Sequence, residues 1–159
     1  MKVSEQTAGK LKSLLRLLLF RLSCAILVRR ATCVSISQKT VMVVEDEPDA
    51  ADLFAEMMRL NGYRVIKTYA GAPAISLMRE QKPDAIILDI MMPDISGLEI
   101  LRHMRGEPGL ASIPVVVVSA KATPADIQSG LDAGATIYLT KPVSYVDLKN
   151  AVDGLMQVT

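Results

Sequence analysis

The sequence predicts an α/β fold in which five parallel strands form a doubly wound sheet with helices on both faces. Short apolar segments alternate five times with segments that carry apolar residues at helical spacing, and the loops between them are short. Several of the apolar segments are unbroken, which is typical of strands buried on both faces of a parallel sheet. Strict strand-helix alternation implies right-handed parallel crossovers.

The first strand-helix unit is predicted over residues 40–60. Its strand, residues 40–44, is a β-branched run that ends in carboxylates at Glu45 and Asp46. Pro48 suits the first turn of the helix that follows. The apolar positions of this helix repeat at helical spacing, at Leu53, Met57 and Leu60, before Asn61-Gly62 ends it.

The second and third units are predicted over residues 64–105. Residues 64–69 form a strand, and a short helix with Ala74, Ile75, Leu77 and Met78 follows it. Residues 85–88 are apolar and stand between Pro83-Asp84 and a Pro/Gly loop, so they predict a strand that is buried on both faces. Asp89 stands at the carboxyl end of that strand. One side of the third helix carries Leu98, Leu101 and Met104.

The fourth and fifth units complete the predicted sheet. Residues 114–119 form an apolar strand that ends in Ser119, and the fourth helix spans residues 124–134 with Ile127 and Leu131 at i and i+4. Residues 136–140 form the fifth strand, and Lys141-Pro142 follows it. The buried face of the last helix is predicted at Val146, Leu148, Ala151, Val152 and Leu155.

Charge divides the chain into a basic tail and an acidic body. Residues 1–39 hold eight basic residues and one acidic residue, a charge of +7, so the net charge of +1 leaves −6 for residues 40–159. We therefore predict a basic, Leu-rich N-terminal tail over residues 1–38 and a globular domain over residues 39–159. The acidic body and the 4% aromatic content argue against nucleic-acid binding. Both cysteines lie in the tail, which fits a cytoplasmic setting.

The Leu-rich stretch of the tail, residues 11–28, does not have the composition of a membrane span. Lys12, Arg16 and Arg21 interrupt it, whereas a span needs about 20 consecutive apolar residues. Arg21 lies on the opposite helical face from the other two charges, so a surface-bound amphipathic helix is not specified either. A non-essential or mis-started leader, a membrane-surface anchor and a partner-binding segment all remain open.

Polar side chains stand at the carboxyl ends of the first, third and fourth strands, and a lysine follows the fifth. They are Glu45, Asp46, Asp89, Ser119 and Lys141. In a parallel sheet these ends share one edge, where ligands bind. Clustered carboxylates favour a divalent cation, and oxygen ligands without His or Cys select Mg²⁺ or Mn²⁺. With Ser119 and Lys141 to hold a phosphoryl group, Asp89 is predicted to attack phosphorus and form an aspartyl phosphate.

Four motifs in the body resemble a known family. They are Val43-Val44-Glu45-Asp46-Glu47-Pro48, Leu88-Asp89-Ile90-Met91-Met92-Pro93-Asp94-Ile95-Ser96-Gly97, Val118-Ser119-Ala120-Lys121 and Tyr138-Leu139-Thr140-Lys141-Pro142. Their order and spacing over residues 40–158 are similar to those of the CheY-like receiver domain of two-component response regulators, of the stand-alone type. The resemblance implies a flavodoxin-like sheet with strand order 2-1-3-4-5.

The resemblance also implies a magnesium-dependent phosphoacceptor site. It makes Asp89 the phosphoacceptor and a metal ligand, and Asp46 a direct ligand of Mg²⁺, with Mn²⁺ as a substitute. Glu45 then acts on the metal through water, and the Met91 carbonyl completes the protein ligands. Glu45 stands where many relatives have Asp, which leaves inner-shell and outer-shell coordination both open.

The remaining roles implied by the resemblance concern phosphoryl binding and output. Ser119 and Lys141 hold the phosphoryl group, Ser119 and Tyr138 form a switch, and the peptide bond before Pro142 is cis. The phosphoryl donor is a histidine kinase or a phosphotransfer protein, and the downstream target is another protein. No effector domain follows Thr159, so we expect output through a face that includes Asp126, Tyr138 and Lys149, or through phosphorylation-dependent dimers. Membrane contact is expected only through the tail.

Two other functions compete with the phosphoacceptor hypothesis. An Asp-nucleophile phosphatase also begins with an apolar strand that ends in Asp, but it needs a second Asp two residues later, where this chain has Met91. A phosphorylation-independent receiver-like module is expected where the acceptor, a metal ligand or the lysine is lost, and Asp46, Asp89 and Lys141 are all present. We therefore expect a signalling domain and not an enzyme, apart from self-catalysed phosphorylation and dephosphorylation.

Overall fold

The computed structural model describes residues 38–157, which form strands and helices in strict alternation. The strands are β1 (Thr40–Val44), β2 (Arg64–Thr68), β3 (Ala85–Leu88), β4 (Val115–Ser119) and β5 (Ile137–Thr140). The helices are α1 (Pro48–Leu60), α2 (Gly71–Gln81), α3 (Gly97–Gly106), α4 (Pro124–Asp132) and α5 (Tyr145–Met156). All neighbouring strands are parallel, in the order β2-β1-β3-β4-β5. The predicted doubly wound sheet of order 2-1-3-4-5 is confirmed.

The central strands β1, β3 and β4 are buried along their whole length. Alternate side chains of a strand point to opposite faces of the sheet. Met42, Ile86 and Val117 therefore join the core beneath α2 and α3. Their sequence neighbours on the other face pack against α1 and α5. Because helices cover both faces, no position along these strands has to be polar, which explains the unbroken apolar runs in the sequence.

Helix α1 exists as predicted, but of the three apolar residues that predicted it only Met57 packs partly against the core. Leu53 and Leu60 are 54% and 72% exposed. The buried face of α1 consists of the next stripe around the helix, Ala51, Phe54, Ala55 and Met58. Likewise, Val146 in the predicted buried face of α5 is 59% exposed. Helical spacing identifies an apolar stripe, whereas the surface of the sheet decides which stripe is covered.

The ends of several elements differ from the predictions by one to three residues. Strand β4 begins at Val115 because Pro114 has no N–H to donate to the sheet. Helix α4 ends at Asp132, since Gly134 has a φ of 107° that an α-helix does not allow. Helix α2 begins early, at Gly71, where a carboxylate from another part of the chain binds its first amides.

Arg105 connects the α3–β4 loop to the α4–β5 turn. Its Nε and Nη2 donate to the Gly134 carbonyl at 3.0 and 2.7 Å, and its Nη1 donates to the carbonyls of Ala111 and Ile113 at 2.9 and 3.0 Å. Burial lowers the pKa of Arg105 from its usual high value. One guanidinium therefore satisfies three backbone acceptors that the surrounding loops leave unpaired.

Among residues 38–157, no helix combines the length and the apolar character that crossing a membrane requires. Residues 1–37 of the predicted tail, with its Leu-rich stretch and both cysteines, fall outside the described part of the chain. The predictions made for that tail stay predictions.

Replacement of Arg105 should destabilise the domain. We expect Arg105→Met to lower the free energy of unfolding by roughly 2 kcal/mol, because the carbonyls of Ala111, Ile113 and Gly134 lose a charged donor. Urea unfolding followed by circular dichroism measures the change. The matched control is Arg102→Met, at an exposed arginine one turn earlier on α3, where we expect a change below about 0.5 kcal/mol. Equal losses in the two variants would contradict the role of Arg105.

Candidate functional site

The register of the sheet brings residues from four strands to one edge. Val44 of β1 pairs with Leu88 of β3, so Glu45 and Asp89 follow their strands at the same level. The Asp89 amide donates to the Val44 carbonyl at 2.9 Å. On the other side, the Lys141 amide donates to the Ser119 carbonyl at 2.8 Å. Residues that are far apart in the sequence therefore line one site at the carboxyl ends of the strands.

Three carboxylates at this edge are close enough to share one cation. One carboxylate oxygen each from Glu45, Asp46 and Asp89 lies within 4.8 Å of the others. Glu45 and Asp89 are only 2% and 5% exposed, and Asp46 is half-buried. A set of oxygen donors without nitrogen or sulfur suits Mg²⁺ or Mn²⁺ and disfavours zinc. The residues present therefore fit the divalent ion that the sequence predicts.

The Lys141 ammonium lies between two of these carboxylates. It donates to both oxygens of Glu45, at 3.0 and 2.8 Å, and to Oδ2 of Asp89 at 2.8 Å. Burial by itself lowers the pKa of Lys141, but the hydrogen bonds to Asp89 and Glu45 outweigh it and raise that pKa. Lys141 is therefore charged at neutral pH. When all three carboxylates are ionised, a single ammonium cannot balance them, and a divalent cation would then be attracted to this edge.

Glu45 has a strongly perturbed pKa. Burial raises the pKa of Glu45 to about 7, although the hydrogen bonds from Lys141 oppose the increase, and the charge of Asp89 adds to it. In the metal-free protein Glu45 therefore binds a proton near neutral pH. A cation beside Glu45 would favour the ionised form, so cation binding and proton release from Glu45 are linked.

The Asp89 side chain and its backbone are both held in place. Oδ1 accepts the Met91 N–H at 3.0 Å while Oδ2 accepts from Lys141. At the start of α3, a Cβ on Gly97 would lie 2.1 Å from the Asp89 carbonyl oxygen, so only glycine permits this approach. The Gly97 amide donates to the Ile90 carbonyl at 3.1 Å. The chain thus leaves Asp89 and turns into α3 within one short, closed loop.

An open pocket of about 400 Å³ lies beside the carboxylates. Asp46, Met91 and Lys121 are among the residues that line it. Met91 is 54% exposed, so this wall of the pocket is open to solvent. The pocket offers room for a small group next to Asp46, with Lys121 among its lining residues.

Ser119 and Tyr138 are connected through the backbone of Lys121. The Oγ of Ser119, which is fully buried, accepts the Lys121 N–H at 3.3 Å, and the Tyr138 hydroxyl donates to the Lys121 carbonyl at 2.9 Å. The Tyr138 ring lies against Gly130 of α4, where an added Cβ would come within 2.6 Å of two ring carbons. Burial raises the pKa of Tyr138, so its hydroxyl remains a donor at neutral pH.

Two further predicted positions have well-defined surroundings. The Lys141–Pro142 peptide bond is cis. Lys149 pairs with Asp153, one helical turn later on α5, and the Asp153 carboxylate also accepts the Tyr63 hydroxyl at 2.6 Å. The expectation that Lys149 shares an output face with Tyr138 stays a prediction.

Sequence reasoning missed several residues that shape the site. Gly130 contacts Tyr138 only through the fold, and no sequence signal singles it out. Lys121 belongs to one of the quoted motifs, but its contact with Tyr138 was not predicted. The start of α3 does carry a signal, the Ser96-x-x-Glu99 capping box. Ser96 Oγ accepts the Leu98 N–H at 3.3 Å, and Glu99 Oε2 accepts the Ser96 N–H at 3.1 Å.

Comparison with known proteins places this geometry in a family. Residues 41–153 match the family model described as the response regulator receiver domain. The chain is 38% identical over 106 residues to the polar-differentiation response regulator DivK of Brucella ovis, covering 67% of this chain and 86% of DivK. It is 39% identical over 121 residues to the "Probable transcriptional regulatory protein TcrX" of Mycobacterium tuberculosis, covering 76% of this chain but only 50% of TcrX.

A solved structure supports the same grouping. The receiver domain of the Francisella response regulator 1452 superimposes with a TM-score of 0.72 at 28% sequence identity. The match covers 76% of this chain and 98% of that domain.

The raised pKa of Glu45 predicts how the stability of the metal-free protein depends on pH. The pKa of Glu45 is about 7 in the folded protein against an ordinary value of 4.5, so the folded state holds this proton more tightly. The resulting stability is present below pH 4.5 and is lost as the pH rises through 7. We expect wild type to lose stability over this range relative to Glu45→Gln, measured by urea unfolding in a chelator. If the stability of the two proteins changed with pH in the same way, the raised pKa of Glu45 would be contradicted.

Proposed function

The chain belongs to the receiver domain family of two-component response regulators, and we propose that Asp89 is the residue through which it accepts a phosphoryl group. Receiver domains are signalling domains, which supports a phosphoacceptor role and not turnover of a substrate. The observation that carries the proposal is the environment of Asp89, a buried carboxylate held by Lys141 and the Met91 amide beside Glu45 and Asp46. We further propose residues 39–159 as the functional unit, with residues 1–38 outside it.

The proposed reaction is phosphoryl transfer from a phosphohistidine of a histidine kinase or phosphotransfer protein. A carboxylate oxygen of Asp89 attacks phosphorus, and a P–O bond forms while the P–N bond to the donor breaks. The electron pair of the broken bond stays on the imidazole nitrogen, which takes a proton from solvent. The product is an aspartyl phosphate. The hydrogen bond from Met91 to Oδ1 favours Oδ2 as the attacking oxygen, once Lys141 has moved from it to the incoming group.

Two side chains next to Asp89 are suited to bind the incoming group. Lys141 already contacts Asp89, so a small movement carries its ammonium to a phosphoryl oxygen. Ser119 Oγ accepts a hydrogen bond from the Lys121 amide, which leaves the hydroxyl hydrogen free to be donated to another phosphoryl oxygen. Asp89 is therefore flanked by a charged donor and a neutral donor.

The divalent cation in this proposal is Mg²⁺, with Mn²⁺ as a substitute. Asp46 and Asp89 would hold it directly, together with the Met91 carbonyl. Glu45 would act through water, because both of its oxygens already accept hydrogen bonds from Lys141. When bound, the ion supplies positive charge that offsets the negative charge of the phosphoryl oxygens.

The output proposed for this domain is a change in the surface around Tyr138. Hydrogen bonds join Ser119, Lys121 and Tyr138, and the Tyr138 ring contacts Gly130 of α4. If Ser119 turns toward a phosphoryl oxygen, the Lys121 backbone loses its acceptor and the position of Tyr138 shifts. A partner protein or a second copy of the chain that prefers one arrangement then responds to phosphorylation.

Replacement of Asp89 tests the acceptor. Asp89→Asn should abolish Mg²⁺-dependent phosphorylation by acetyl phosphate, measured by intact-protein mass, because the amide is a poor nucleophile of nearly the same shape. Asp132→Asn on the exposed surface of α4 is the control and should be phosphorylated like wild type. A phosphoryl group found on the Asp89→Asn protein would move the acceptor to another residue.

Replacement of Gly130 tests the connection to Tyr138. The methyl group of Gly130→Ala would lie 2.6 Å from the Tyr138 ring, so the ring has to move, whereas Asp89 is not touched. We expect phosphorylation within about twofold of wild type, a shifted Tyr138 signal in NMR spectra, and a smaller spectral response to phosphorylation. Gly154→Ala on α5 is the matched control, because an added Cβ there has no atom within 4 Å. An unchanged Tyr138 response in Gly130→Ala would exclude this route.

A further inference from the structure

The loop between β3 and α3, residues 90–96, carries the Met91 amide that binds Asp89, and we call it the site loop. Its first residues leave the sheet next to the acceptor, and its last residue begins the capping box of α3. The contact of Gly97 with the Asp89 backbone closes the base of the loop. Within the loop, the Met92 side chain is buried in the core, whereas Pro93 and Asp94 at the tip are exposed and are held by a separate attachment.

Asp94 provides that attachment by binding the start of α2. Its Oδ2 accepts the N–H of Gly71 at 2.9 Å and the N–H of Ala72 at 3.1 Å. These are the first two residues of α2, and the N-cap residue Ala70 supplies no side-chain hydrogen bond of its own. Asp94 therefore caps a helix that lies more than twenty residues earlier in the chain.

The charge of Asp94 suits this position. The amides of Gly71 and Ala72 are among the backbone groups that lower the pKa of Asp94 below its usual range, with Ala72 contributing most. A carboxylate at a helix N-terminus is also favoured by the helix dipole. The ionised form of Asp94 is therefore the one that holds the loop.

A second, independent feature brings the site loop and α2 together. A Cβ on Gly71 would lie 3.2 Å from the Ile95 carbonyl oxygen and 2.7 Å from Cδ1 of Ile100. The start of α2 therefore packs closely on the backbone of the site loop, and glycine is the residue that permits this approach. The Asp94 hydrogen bonds and the packing at Gly71 both hold the start of α2 against the site loop.

Met91 lies between the base of the loop and the attachment at Asp94, next to the buried Met92. Its N–H donates to Asp89, and in the proposed function its carbonyl would bind the cation. Residues that orient metal ligands without touching the metal commonly have strong effects on metal affinity. The position of Met91 therefore depends on the tip of the loop as well as on its base.

We propose that Asp94 is a positioning residue for the cation site: it holds the site loop on α2, which keeps Met91 in place beside Asp89. This inference rests on the proposed function, because it assumes that the carboxylates and Met91 bind a divalent cation. It assigns a role to a carboxylate that does not itself belong to the three-carboxylate cluster.

The experiment measures Mg²⁺ affinity by calorimetric titration of the unphosphorylated protein. Asp94→Ala should weaken Mg²⁺ binding about tenfold, the lower end of the range for residues behind the ligands. Asp94→Asn keeps an acceptor oxygen for Gly71 and Ala72, and should stay within about threefold of wild type. Asp132→Ala removes the same charge from an exposed site on α4 and should bind Mg²⁺ like wild type.

A second readout uses the metal-free protein. Amide hydrogen exchange at Gly71, Ala72 and Met91 should be faster in Asp94→Ala than in wild type, since the loop and the first turn of α2 both lose their hydrogen bonds. Asp94→Asn should restore slow exchange at all three amides.

The outcomes separate this inference from the proposed function. If wild type binds Mg²⁺ and Asp94→Ala binds it equally well, even with a lower melting temperature, Asp94 is only a helix cap and the inference is wrong. If Asp132→Ala weakens binding as much as Asp94→Ala, the effect is one of overall charge and the inference is also wrong. If wild type itself does not bind Mg²⁺, the proposed function fails together with the inference.

Discussion

The ion pairs of Lys141 with Glu45 and Asp89 are the interaction on which this edge of the sheet depends. They join the ends of β1, β3 and β5 through contacts of 2.8 to 3.0 Å. Two carboxylates that are almost fully buried would otherwise repel each other, and removal of the partner of a buried charge typically costs about 3–5 kcal/mol. The proposed function assigns to the same ammonium the binding of an incoming phosphoryl oxygen. Structural and functional requirements therefore act on one side chain.

Contacts that involve the backbone connect this edge of the sheet to α2 on one side and to α4 on the other. Toward α2, the site loop is attached by Asp94 and by the close approach of Gly71 to Ile95. Toward α4, Ser119 and Tyr138 meet at the backbone of Lys121. The contacts toward α2 involve the loop with the proposed cation ligands. The contacts toward α4 lead to the surface that is proposed to bind a partner. Both sets of contacts start near Asp89, the proposed acceptor.

Much of the fold and of the candidate site follows from local sequence. Unbroken apolar runs such as residues 115–118 predict strands covered on both faces, and their alternation with helices predicts parallel pairing. Because parallel strands end at a common edge, a carboxylate after residues 85–88 and another after residues 40–44 were expected to lie close together. Glu45, Asp46 and Asp89 do lie within reach of one cation. The central strands are predictable because burial on both faces leaves unbroken apolar runs in the sequence.

The tertiary structure alone decided which surfaces and side chains meet. The sequence of α1 holds two apolar stripes, and contact with the sheet selects the one with Phe54 and Met58 over the one with Leu53 and Leu60. Nothing near Asp94 in the sequence reveals that it caps α2, because the amides it binds lie more than twenty residues away. The sequence by itself determined the fold class, the order of the elements and the residues at the strand ends. The partners of Lys141, Asp94 and Tyr138 depend on distances between elements, which local patterns of hydrophobicity do not encode.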